Sequence, residues 1–164
     1  MPGRSIYPNI DPIMSGMLKT FATKLQSDHL KGQGFQKRYE TFSRQHPEFS
    51  EHYHIQPASW NRAGEKWSFH LIIGIGFTSI PSRLKGQLAG CHASKRHTTV
   101  ETTLVNSGGS DPEKLCQETA RVAGVILALS DYFQSRHKVL RHSYDRGYLE
   151  EGFPVDPDGS PSQA

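Results

Sequence analysis

Residues Lys66–Phe77, KWSFHLIIGIGF, place Trp67, Phe69, Leu71, Ile73, Ile75 and Phe77 on every second position. Side chains alternate faces along an extended chain, so this period reads as a β-strand with one strongly apolar face. A strand of that kind belongs in the middle of a sheet, with something covering the apolar side. The alternate positions run Ser68, His70, Ile72, Gly74 and Gly76, turning from polar to bare. Glycine weakens a strand interior, and its recurrence here marks either a bend or the close approach of another backbone.

The rest of the chain supplies partners for that strand. After an arm of residues 1–12 that opens the chain, Met14, Met17, Leu18, Phe21 and Leu25 recur at helical spacing, with Asp11-Pro12 as the start signal and Gly32 and Gly34 as the stop. In FQKRYETFSR, Phe35 and Tyr39 share one parity and Phe42 has the other, which points to a strand with a bulge or an early end. Residues 51–56 form a further strand, with Tyr53 and Ile55 inward and His52, His54 and Gln56 outward. Residues 98–105 are β-branched and supply another, while 78–97 show no clear pattern. Ser110, Asp111, Pro112 and Glu113 match a capping box with proline in the first turn. The helix they open carries Leu115, Val122, Val125, Ile126, Leu129 and Phe133 on one face and runs to about His137. Ala120, Gly124 and Ala128 make a smooth stripe on it, suited to the bare glycines of the central strand or to the first helix.

The expected fold is therefore α+β: an antiparallel sheet of three to five strands packed by an N-terminal and a long C-terminal helix. It forms one domain over 13–150, followed by a flexible tail of 151–164 rich in Pro, Asp, Ser and Gly. A chain of 164 residues is long enough to bury a core without disulfides or metal. The two cysteines, Cys91 and Cys116, are expected as free thiols. No apolar run approaches the roughly 18 residues of a membrane span, and the opening MPGRSIYPNIDP has no signal-peptide core. A cytoplasmic location is the expectation, with no membrane partner.

Gly34-Phe35, the basic strand with Tyr39 and Phe42, Ile55-Gln56 followed by Ser59-Trp60-Asn61, and a strand ending in Gly74-Ile75 together resemble a group of small bacterial domains catalogued as a domain of unknown function. The resemblance covers roughly residues 14–140. It implies an α+β fold and carries no established activity and no catalytic residue. His70 stands where that pattern has Asn or another polar residue.

Three groups of residues carry potential chemistry. His52, His54 and His70 share the outward parity of adjacent strands, and imidazole suits zinc, copper, iron or nickel, so they are the candidate metal ligands. The span from Lys66 to Val100 lacks acidic residues and contains Lys95 and Arg96, which with Arg136, Lys138, Arg141 and Arg146 would make a cationic surface for phosphate backbones. Trp60, Asn61 and Arg62, between two strands, are the candidate recognition loop. No nucleophile elbow, phosphate loop or dinucleotide fingerprint is present: Ser79 occupies the third glycine position after Gly74 and Gly76. No cofactor is expected. The sequence favours a non-enzymatic binding module engaging a protein partner, similar in build to accessory or immunity proteins. The alternative is a nucleic-acid-associated or metal-dependent enzyme using the histidine-bearing face.

Overall fold

The computed structural model describes residues 12–57, 66–80, 91–105 and 112–146. Five strands, β1 (Gln36–Arg38), β2 (Thr41–Gln45), β3 (Phe49–Pro57), β4 (Lys66–Phe77) and β5 (Ala93–Val105), form one antiparallel sheet in chain order. Two helices, α1 (Pro12–Leu25) and α2 (Pro112–Asp145), complete the α+β arrangement. Both pack on the face that carries Phe69, Leu71, Ile73, Ile75 and Phe77, and these residues join Leu18, Phe21, Leu25, Val122, Ile126, Leu129 and Phe133 in a single core. Each such side chain is stabilised by about 1.5–3 kcal/mol on burial, which is why the strictest alternation in the sequence becomes the centre of the sheet.

α1 leaves through a π-helical turn (Gln26–Leu30) and a 3-10 turn (Lys31–Gln33), and Gly34 ends the run at φ 88°, a left-handed conformation that glycine adopts without strain. The FQKRYETFSR segment is a hairpin, not a single bulged strand. Arg38 pairs with Thr41, so Tyr39 and Glu40 form a two-residue turn, and Tyr39 takes φ 54° with its ring exposed. Reversal at the turn reconciles the two parities, since Phe35 and Phe42 both reach the core.

β5 begins at Ala93, inside the stretch without a clear pattern, and its pairing with β4 shifts between Lys66 and Trp67 and again between His70 and Ile72. Extra residues in β5 at those points erase the two-residue period that would have announced it. α2 extends two turns beyond His137. Its small-residue stripe faces outward: Ala120, Gly124 and Ala128 are exposed, and a Cβ placed on Gly124 would meet nothing within 4 Å. Gly74 and Gly76 are buried without that stripe's help. Among the described residues no helix is long and apolar enough to cross a membrane, and neither Cys91 nor Cys116 forms a disulfide.

Candidate functional site

β3 alternates strictly between buried and half-buried positions, and two polar clusters result, one on each face. On the helix side lies Glu51, with no exposed surface, between Phe49 and Tyr53. Register places Arg44 of β2 directly across from it. The Arg44 guanidinium approaches Glu51 Oε2 at 3.4 and 3.5 Å, the His46 Nε2–H donates to the same oxygen, and the Tyr53 hydroxyl donates to Oε1 at 2.8 Å. Arg44 also donates to the Gln33 carbonyl at 2.7 Å and to the Ser130 hydroxyl of α2, and its guanidinium lies 4.5 Å from the centre of the Phe35 ring. Burial, reinforced by the neighbouring Glu51 carboxylate, pushes the Tyr53 phenol well above its ordinary pKa and holds it as a donor. A buried charge survives only when its oxygens are satisfied, and this one has donors on both.

His46 carries this network to the surface. Its ring stacks on Phe49 at 4.4 Å, and Phe49 stacks on His137 of α2 at 4.6 Å. These three rings, with Pro47, Glu48 and Gln134, line a cavity of ≈ 330 Å³. Pro47, Glu48 and His137 are shared with a second cavity of ≈ 500 Å³ that continues past Phe77, Thr78 and Ser79 to Lys138 and Arg141. The two form one groove between the end of α2 and the β2–β3 and β4 turns.

Arg141 is fixed there by three contacts. It donates to Ser79 Oγ at 2.6 Å, pairs with Asp145 at 3.0 Å, and holds its guanidinium 5.7 Å from the centre of the Phe77 ring. Behind it His92 and Tyr144 pack edge to face and both rings are tilted against Phe77, whose N–H donates to His92 Nδ1 at 2.8 Å. Lys138 is exposed and has no ion-pair partner among the described residues, whereas the rim carboxylate Glu48 lies 3.5 Å from His137. The groove thus has an aromatic floor and is lined by the cations Lys138 and Arg141 and the carboxylate Glu48, with Asp145 paired to Arg141. Glu51 behind His46 is the arrangement that orients an acid–base imidazole. The hydroxyl nearest to a nucleophile's role, Ser79, is taken by Arg141.

The second cluster holds the candidate metal ligands. His52 and His54 stand two apart on β3, half-buried, and His70 on β4 is buried opposite Gln56. Register sets His54 diagonal to His70 but places His52 four residues from it along β4. Their ring nitrogens have local partners, Ser50 Oγ to His52 Nε2 at 2.8 Å and Thr41 Oγ1 to His54 Nδ1 at 2.9 Å. Among the described residues no three His, Cys, Asp or Glu side chains are grouped to hold a metal ion. Burial lowers the pKa of His52, His54 and His70, with Glu51 opposing at His52 and the Arg96 charge adding at His70. Ile72 and Cys91, both fully buried, form a separate small cluster on this face, where burial pushes the Cys91 thiol up to about 12.

Lys95 and Arg96 pair with Ile73 and Ile72 respectively, so alternation sends them to opposite faces of the sheet. Trp60, Asn61 and Arg62 lie outside the described residues. The residues missed by sequence reasoning are Glu51, His46, Phe49 and His137. A scan of protein-family models and searches of curated proteins and solved structures find no match, so the resemblance to the small bacterial domains gains no support and the site rests on its own geometry.

Proposed function

We propose that this protein is a binding module whose groove, between the end of α2 and the β2–β3 and β4 turns, receives a short acidic segment of a protein partner. The carrying observation is the aromatic floor of Phe49 and Phe77 beneath the cations Lys138 and Arg141, in two adjoining cavities. Aromatic surface supplies the apolar contact of an interface centre, and fixed guanidinium geometry supplies carboxylate recognition. Arg141 is held in place by Ser79 and Asp145, so little of its rotamer freedom is lost on binding.

A display screen of random peptides tests the reading. It is run on the full chain and on the same chain with Glu150→Lys and Glu151→Lys, because those two acids closely follow α2 and would compete for the same cations. Enriched peptides should combine carboxylates with aromatic or aliphatic residues, and Lys138→Glu should weaken them by about tenfold, the effect of losing one charge-assisted contact. Absence of such a consensus on both chains, or binding indifferent to Lys138→Glu, overturns it. A steeply salt-dependent affinity for short single-stranded DNA or RNA in place of peptide would also overturn it, in favour of a nucleic-acid partner.

A further inference from the structure

Tyr39 combines two features that no other described residue does. It is the one non-glycine residue at positive φ, 54°, and its side chain is 66% exposed, one of only two large apolar side chains left exposed among the described residues, with Val139. The left-handed region costs an ordinary L-residue free energy that glycine or asparagine avoids. A bulky ring held there and turned to solvent adds little to the core, and strained positions of this kind gather at sites that bind a ligand.

The surroundings of that ring are cationic. Lys37 pairs with Phe42, whose side chain enters the core, so Lys37 lies on the helix side of the sheet and Arg38 on the other. Cations therefore flank the turn on both faces. Lys19 of α1 adds a third, since its charge and that of Lys37 both reach the Glu40 carboxyl. None of the three has an ion-pair partner among the described residues. Glu40 does not neutralise them: its Oε2 is buried without a hydrogen-bond partner among the described residues, and burial pushes its pKa above the ordinary value in spite of both lysines.

We propose that the β1–β2 turn is a second binding site, at which Tyr39 stacks on a base of a single-stranded nucleic acid while Lys19, Lys37 and Arg38 meet its phosphates. A flat exposed ring with a guanidinium beside it suits bases, which stack on both, whereas an acidic peptide would use the cations and leave the ring idle. The site is independent of the groove. The turn precedes β2 and the groove residues His46, Pro47 and Glu48 follow it, so the two stand at opposite ends of a five-residue strand, about 17 Å apart.

Fluorescence anisotropy of the full chain with labelled oligothymidylate and oligouridylate of about 12 nucleotides tests it. Binding should appear at low salt and weaken with a log–log slope of about −2, three phosphates at about −0.7 each. Tyr39→Asn should weaken it roughly five- to hundredfold, the effect of losing one stacked base, without lowering the urea midpoint, because asparagine tolerates the left-handed region. Tyr39→Trp restores a stacking face and should retain binding. Lys37→Glu with Arg38→Glu should weaken binding and flatten the salt slope, and Lys138→Glu should leave it unchanged. Absence of binding at low salt overturns the proposal, as does a Tyr39→Asn chain that binds like the unmodified one or a Tyr39→Trp chain that binds no better than Tyr39→Asn. Loss of binding in Lys138→Glu would move the nucleic acid into the groove and overturn the turn site. Displacement of the oligonucleotide by display-selected acidic peptides would overturn it too, in favour of a protein partner.

Discussion

Consecutive residues of β3 send carboxylate and imidazole into two different environments. Glu51 and Tyr53 turn toward the helices, where Arg44 of β2 and His46 of the β2–β3 turn donate to the carboxylate and Ser130 of α2 accepts from Arg44. His52 and His54 turn the other way and contact the hydroxyls of Ser50 and Thr41, respectively. The first group is a closed network with a charge at its centre; the second is a row of imidazoles whose charged forms are disfavoured by burial. On the helix side β2, the β2–β3 turn and β3 itself all supply donors to one carboxylate. On the other side the hydroxyl partners are neutral, Ser50 on β3 itself for His52 and Thr41 on β2 for His54.

The contrast is broken most directly at Glu51. Changing it to Ala removes the acceptor and leaves the Arg44 guanidinium partly buried without its counter-charge, a loss expected at about 3–5 kcal/mol. Replacing both members, Arg44→Met with Glu51→Leu, should recover a large part of that loss, because the desolvation cost disappears with the charges. Urea unfolding of the two single variants and the double variant measures it. A Glu51→Ala cost below about 1 kcal/mol would mean that the network contributes nothing that water does not.

A smaller effect tests whether the histidine face is dry. Ile72 is fully buried there, with Cys91, while Ile73 beside it belongs to the main core. Ile72→Ala should cost about 2–3 kcal/mol and Ile73→Ala about 3–5 kcal/mol, since a cavity in the larger and more rigid core collapses less. Equilibrium unfolding of both variants gives the comparison. If Ile72→Ala is neutral, that side of the sheet is wet and the burial of His70 and Cys91 loses its physical basis.

These differences follow what the sequence could express. The central strand was legible because six apolar residues keep one parity without interruption, and no other local structure satisfies that. Glu51 shares the parity of Tyr53 and Ile55, so its inward direction was readable too. Its meaning was not, because a buried carboxylate depends on donors that register brings from Arg44 and that folding brings from His46. The β1–β2 hairpin was hidden since Tyr39-Glu40 carries none of the Gly or Asn residues that favour a two-residue turn. The groove was hidden for a related reason: His46, Phe77 and the His137–Arg141 turn of α2 are far apart in the chain and meet only when α2 crosses the ends of β3 and β4. The histidine row was legible as a shared face, while its distances depend on a register that sequence does not reveal.

The smallest expected effect concerns the protons on that row. Burial lowers the pKa of His52 and His54 from the ordinary imidazole value of about 6.5, and Glu51 pulls His52 only weakly the other way. Above about 6.5 both rings are neutral in the folded and unfolded chain, and they add no pH dependence. Below it the unfolded chain takes up protons that the folded chain resists, and stability rises with pH wherever the unfolded state binds more protons. The two rings should therefore cost stability as pH falls from about 6.5 toward their folded values. The limiting slope is about 1.4 kcal/mol per pH unit for each proton, and half-buried rings reach only part of it. Asn at both positions keeps a hydrogen-bonding side chain next to Ser50 and Thr41 but does not titrate. Urea midpoints at pH 7.5 and 5.5 should fall further for the unmodified chain than for His52→Asn/His54→Asn. The other histidines contribute equally to both chains, so the difference isolates this pair. Equal falls would show that protons reach both imidazoles freely in the folded state, and the face would then be a solvated one despite its geometry.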